Sequence, residues 1–181
     1  MSEKLTKEEL MQAEQIQEEK DHNHGNPTAA ALTVHIVASQ GVLNTKLHQY
    51  HWFVKGTNFY TLHEKFEELY DDNAKYYDEI AERLIASGSR PPSTTEQNVK
   101  HSLVQEDGAK KYLSGEKMVE DLVDDFRTIR DITARTIMVT QKEEDTVLED
   151  LLIGYKGYLD KTIWMLQAFL GKQALEGEED D

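Results

Sequence analysis

The sequence predicts an all-α protein, a bundle of four long helices with one long crossover. Three observations carry that expectation. The 181 residues include only three prolines, Pro27, Pro91 and Pro92, so most of the chain is free of helix breakers. Apolar residues recur near the helical period through four long stretches, and no alternating run of useful length suggests a strand. Clusters of turn formers separate those stretches.

The first long helix is expected from Asn26-Pro27, with Asn as N-cap and Pro in the first turn, through to Lys55. Leu32, Ile36, Leu43, Leu47 and Tyr50 keep its period. Val54-Lys55-Gly56-Thr57-Asn58 reads as a stop followed by a new cap. A second helix is expected over 59–86, closed by Ser87-Gly88-Ser89-Arg90-Pro91-Pro92. Residues 93–113 are polar, with room for one short helix around 98–104. Ser114 or Gly115 opens a third helix through Met138, and a fourth runs from Asp145 to Leu170 before Gly171. Each would be about 38 Å long at a rise of about 1.5 Å per residue. Thr6 and Glu9 form a capping-box pattern, so a further short helix is expected over residues 5–20, with Leu10, Met11 and Ile16 too few to dock it firmly alone. The division is thus an N-terminal extension over 1–26, a bundle over 27–172 and an acidic tail over 173–181.

Composition limits the function classes. With 38% hydrophobic and 30% charged residues the chain reads as globular, long enough to bury a core. The absence of cysteine excludes a disulfide framework, a zinc–thiolate site and thiol catalysis. No secretory signal or membrane span is visible, so a cytoplasmic protein is expected. The charge is −15, from 35 acids and 20 bases, which opposes nonspecific binding to phosphates. Residues 1–27 carry −4 and 173–181 carry −5. The latter run reads as a solvated, disordered tail.

The chemistry gathers around residues 48–82. His51 falls in the last turn of the first helix and His63 in the first turn of the second, and the turn at 56–58 brings those ends together. The second helix carries eight acids against three bases. At about 100° per residue, Glu67 lies about 40° from His63, Asp78 about 60° and Glu82 about 100°, so they share a face. His63 and Asp78 are separated by about 22 Å along the axis, too far for one metal ion. A second copy packed antiparallel about a two-fold axis would join the His63–Glu67 end of one chain to the Asp78–Glu82 end of the other. Imidazoles mixed with carboxylates suit Fe(II), Mn(II) or Zn(II). An intrachain di-iron centre needs Glu-x-x-His on two helices, whereas that pattern occurs once, at Glu19–His22, outside the bundle.

His48-Gln-Tyr-His51-Trp52-Phe53-Val54-Lys55-Gly56, Asn58-Phe59-Tyr60-Thr61-Leu62-His63-Glu64-Lys65-Phe66 and Asp78-Glu79-Ile80-Ala81-Glu82-Arg83 strongly resemble the Dps family of mini-ferritins. Asp160-Lys161-Thr162-Ile163-Trp164-Met165 and Ala168-Phe169-Leu170-Gly171-Lys172 are similar to that family's last helix. The resemblance spans roughly 28–172. It implies a ferritin-like bundle, a hollow shell of 12 subunits, oxidation of Fe(II) with hydrogen peroxide, and storage of the ferric mineral. It places ferroxidase ligands at His51 and His63 of one subunit and at Asp78 and Glu82 of its two-fold mate. The family's further carboxylate, usually Asp, is Glu67 here. Trp52 matches an aromatic beside the centre. Asp145, Glu149 and Asp150 resemble acids of an iron entry pore, with Gln141 and Thr146 where some members have more, and Glu64 and Glu68 are candidates for mineral nucleation.

Plainer readings stand beside these. The histidines and acids could be a surface cluster, His48 a partner of His51 or an exposed residue, and Trp52 and Trp164 core residues. The pore acids also suit a helix N-terminus, and Asp21, His22 and His24 could hold a metal weakly on the N-terminal extension. DNA is an open partner, since residues 1–26 offer only Lys4, Lys7 and Lys20 among seven acids; if DNA is bound the protein would sit on the nucleoid. The alternative function is a DNA-binding shell whose metal site is degenerate or holds zinc.

Overall fold

The computed structural model describes residues 5–21 and 26–178, without the side chains at 15 and 17–21. The chain forms α1 (Lys7–Asp21), α2 (Ala29–Phe53), α3 (Phe59–Ala86), α4 (Thr95–His101), α5 (Gly115–Glu143) and α6 (Thr146–Phe169), with one 3₁₀ turn over Gly108–Tyr112. No strand occurs among the described residues. Helices α2, α3, α5 and α6 make the four-helix bundle, and α4 lies in the long crossover between α3 and α5. Helix α2 packs along α3 and α5 along α6, while α2 against α5 joins the two pairs and α4 crosses α2. No helix among the described residues is long and apolar enough to cross a membrane.

Local chemistry sets the ends. Thr28, not Asn26, caps α2: its Oγ1 accepts from the Ala31 N–H at 3.1 Å, while Asn26 lies exposed. Two residues of entry chain, including Pro27, therefore precede the first turn. Gly56 and Gly88 take φ of 107° and 83° in the turns flanking α3, a region open to glycine without Cβ strain. A capping box at Thr94 and Gln97 starts α4 three residues before the expected position. Ser114 caps α5, which runs five residues past Met138 because Glu144 ends it in the left-handed region at φ 60°. The capping box at Thr6 and Glu9 is formed, with the Thr6 N–H donating to Glu9 at 2.7 Å.

The core is a continuous apolar seam. Ile36, Leu43, Leu47, Phe66, Leu122 and Leu152 are fully enclosed, and burying each such side chain contributes about 1.5–3 kcal/mol. A charged side chain enters this interior. Lys46 on α2 is 1% exposed and is held by Asp121 and Asp125 of α5. The Tyr50 hydroxyl donates to Asp121 at 2.7 Å, and Lys110 of the 3₁₀ turn reaches the same carboxylate. This polar cluster ties the crossover to α2 and α5.

The C-terminal run corrects one expectation. Residues 173–178 are not a free solvated tail. They turn back over α5 and α6, where Glu178 meets Arg127 and Arg130.

Candidate metal centre

The turn at 56–58 sets the C-terminal end of α2 against the N-terminal end of α3, and two histidines meet there. The rings of His51 and His63 stack with centroids 3.7 Å apart and 20° between planes. Their hydrogen bonds are reciprocal: Nδ1 of His51 lies 2.8 Å from the His63 carbonyl oxygen, and Nδ1 of His63 lies 2.9 Å from that of His51. A carbonyl oxygen only accepts, so both Nδ1 atoms carry the proton. In its neutral form each ring then carries its lone pair on Nε2, the tautomer a metal ligand needs.

Glu67, one turn along α3, joins them. One ligand atom from each of His51, His63 and Glu67 falls within a mutual 4.8 Å, a span that one metal ion could close. Both histidines are half-buried and Glu67 is exposed, so the group opens to the surface of the chain. Phe59 stacks on His63 at 5.1 Å, fixing the ring from its other side.

Tyr70 was not singled out by the sequence. It stands edge-on to His51 at 5.4 Å and stacks on His48 at 4.0 Å. Desolvation, followed by the charges of Glu67 and Asp71, holds its phenol above its ordinary value. The signal was present as helical register, since Tyr70 lies seven residues from His63 and three from Glu67. His48 is locked too, with Nδ1 2.7 Å from the Asn44 carbonyl. Trp52 meets His48 edge-on at 5.5 Å. Trp52 and Trp164 are 67% and 53% exposed, which removes the core reading of both.

Asp78 and Glu82 are not brought to this group within one chain. Both are exposed further along α3. The other singled-out acids are engaged locally. Asp145 caps α6, accepting from Leu148 N–H at 3.0 Å and from Arg83 at 2.7 Å. Against an opposing desolvation, these donors hold its carboxyl below the usual range. Glu149 accepts from Gln141 at 2.8 Å, while Asp150 is exposed. Glu64 and Glu68 line a groove of about 350 Å³ between α3 and α6, and Glu68 pairs with Lys65 at 3.1 Å. Of Asp21, His22 and His24, the two histidines and the Asp21 side chain lie outside the described residues.

Comparison with known proteins matches the chain and its fold to a family. A family profile described as Ferritin-like domain matches residues 30–175. The DNA protection during starvation protein of Listeria monocytogenes is 43% identical over 142 residues, 78% of this chain and 91% of that protein. A protein of the same name from Bacillus anthracis, numbered 2, is 43% identical over 136 residues, 75% of this chain and 92% of that one. The X-ray structure of Dps from Listeria monocytogenes superposes with a TM-score of 0.80 at 41% identity, covering 82% of this chain and 97% of that chain. Dps from Listeria innocua soaked with zinc gives 0.78 at 41% identity, covering 82% and 99%. The helical bundle, the match along most of its length and the identity with these relatives make this chain a member of the Dps family, with a ferritin-like domain.

Proposed function

We propose that this protein binds Fe(II) between paired copies of the chain, oxidises it with hydrogen peroxide, and stores the ferric product inside a shell of 12 copies, so shielding DNA. The single observation that carries this reading is the stacked His51–His63 pair. Both Nδ1 protons are committed to backbone carbonyls and Glu67 stands within the same 4.8 Å.

Three donors leave a first-row metal short of a full set, and Asp78 and Glu82 of the same helix are exposed. An antiparallel second copy would bring them to the histidine end and make two equivalent centres per pair. Iron is the substrate. The neutral imidazoles would bind Fe(II), and the carboxylates would favour the higher charge of Fe(III). Two Fe(II) ions would give one electron each to peroxide, its O–O bond would break, and two protons would complete two waters. Consuming both electrons together avoids release of a one-electron oxygen radical. Trp52, close to His48 and exposed, would intercept stray oxidising equivalents. Asp150 and Glu149 would draw cations toward an entry pore, and Glu64 and Glu68 would offer oxygen ligands to the growing mineral. The expected location is the cytoplasm, on the nucleoid when DNA is bound.

The test is anaerobic Fe(II) addition to the purified assembly followed by peroxide, read as ferric absorbance, with size exclusion for the 12-copy mass. Wild type should oxidise iron well above the His51→Ala/His63→Ala variant. Equal rates would end the ferroxidase reading, and tightly held zinc with no oxidation would favour the shell with a zinc-occupied site.

A further inference from the structure

The turned-back C-terminal segment holds a second charged site, remote from the histidines. Gln167 on α6, 2% exposed, donates from Nε2 to the carbonyls of Gln173 at 3.3 Å and Glu176 at 2.8 Å. The Gln173 N–H donates to the Glu176 carboxylate at 3.0 Å. With Arg127 Nη2 donating to the Glu176 carbonyl at 2.8 Å, these bonds hold residues 173–176 without help from the Glu178 side chain. Beyond them, Glu178 Oε1 accepts from Arg127 Nε at 3.2 Å and Arg130 Nη1 at 2.8 Å, and its Oε2 accepts from Arg130 Nη2 at 3.2 Å. The two arginine side chains are only 15% and 14% exposed beneath it. Arg130 holds the Glu178 carboxyl below its usual range. The surrounding groove, about 520 Å³, also takes in Asp124, Thr128 and Asp131.

Three N–H groups from two guanidiniums converging on a pair of anionic oxygens are also what a phosphate receives from paired arginines. We propose that Arg127 and Arg130 form a binding site for the phosphodiester backbone of DNA, and that Glu178 of the same chain occupies it in the resting protein. The proposal deepens the DNA-shielding part of the proposed function and rests on it.

The charge balance fits a gated, weak site rather than a strong constitutive one. Glu179, Asp180 and Asp181 follow Glu178 in the sequence and add three negative charges to the same chain end, which opposes phosphate. Asp124 and Asp131 contact the arginines too, yet at 79% and 68% exposure they are screened by water. Glu178, at 24% exposure, is the main competitor. Releasing it breaks none of the Gln167 bonds. A site of this kind, repeated in every copy of an assembly, would gain avidity on a long duplex.

The experiment measures fluorescence anisotropy of a labelled DNA duplex at low salt with the full-length assembly. Glu178→Gln keeps the side chain's shape and removes its charge, and should bind about fivefold tighter with a steeper salt dependence. Adding Arg127→Gln and Arg130→Gln to it should return binding to the wild-type level or below. Calorimetry with inorganic phosphate alone separates the free anion from the backbone. No tightening in Glu178→Gln overturns the proposal, as does a gain that survives loss of both arginines, or phosphate binding without DNA binding. If the triple variant fails to assemble, Glu178→Gln with Arg127→Gln alone serves, and should lose most of the gain. Iron oxidation is followed in parallel. Unchanged oxidation with no DNA gain sinks this proposal alone, whereas a DNA gain in a protein that never oxidised iron sinks the ferroxidase reading alone.

Discussion

Helix α2 carries two polar clusters on opposite sides, and they are built differently. Toward α5, Lys46 and Tyr50 enter a closed set in which Asp121, Asp125 and Lys110 answer each charge within the chain. Toward α3, His48 and His51 enter an open set, where backbone carbonyls take the Nδ1 protons and Glu67 faces the surface. A buried charge must be answered from inside the fold, because water no longer solvates it. A ligand site must hold its donors rigid yet leave lone pairs unanswered. The first cluster therefore reads as architecture and the second as chemistry. Breaking each one should move a different observable.

The largest effect should come from the closed set. Lys46→Met keeps much of the side-chain volume but leaves Asp121 and Asp125 facing each other without the ammonium. Removing one partner of a buried ionic cluster costs about 3–5 kcal/mol, so thermal or denaturant unfolding should show a loss of that order. Iron oxidation per folded molecule should change little. A stable variant with wild-type melting would mean that Lys110 alone balances both acids. Next in size is the open set. His51→Ala/His63→Ala removes two donors without burying an unpaired charge, so stability should hold while oxidation falls by about 100-fold or more, a scale set by the 10–100-fold cost of losing even outer partners. A parallel fall in melting temperature would turn the histidines into structural residues.

The two clusters were also unequally legible from the sequence. The His51, His63, Glu67 group lies within 17 residues, so register along α3 and the tight turn to α2 bring its members together. Helix α3 was legible to the residue, because Gly56 and the Ser87-Gly88 pair bound it on both sides. Lys46 was invisible. Nothing in a mostly apolar helix says that one lysine points inward, and its partners lie 75 and 79 residues away on α5. The same blindness to distant partners misread the C-terminal segment, whose composition resembles a solvated tail but whose Glu178 meets arginines about 50 residues earlier. Thr28 rather than Asn26 caps α2, although either side chain type can serve chemically.

Proton linkage gives a smaller test. Burial pushes the Asp125 carboxyl up to about 6, with the Lys46 charge opposing the rise and the Asp121 charge adding to it. A carboxyl raised in the folded state holds its proton there between pH about 4 and 6 while the unfolded chain has lost it. Over that window the folded form binds more protons, so this group makes stability fall as pH rises and contributes nothing further above 6. Asp121, Asp145 and Glu178 have lowered values and act oppositely, losing stability as pH falls. Asp125→Asn should remove the first slope only. Unfolding free energies of the variant should therefore decline more steeply on acidification than those of wild type, by about 2 kcal/mol over the window. Parallel profiles would mean that Lys46 keeps Asp125 ionised.

The smallest effect sharpens the open cluster from within. Tyr70 braces His48 and His51 with its ring, and its phenol feels the Glu67 charge. Tyr70→Phe keeps the ring contacts and removes only the hydroxyl. If the hydroxyl aims the longer Glu67 arm toward the histidines, Fe(II) should bind about tenfold more weakly in anaerobic titration, with unfolding little changed. A ring that merely fills space would leave affinity untouched in Tyr70→Phe and lower it in Tyr70→Ala. The two variants together separate aim from packing. Tenfold is about 1.4 kcal/mol, well below the cost of opening the Lys46 cluster. A donor that only orients a surface-facing carboxylate should matter less than a charge that must be answered inside the core.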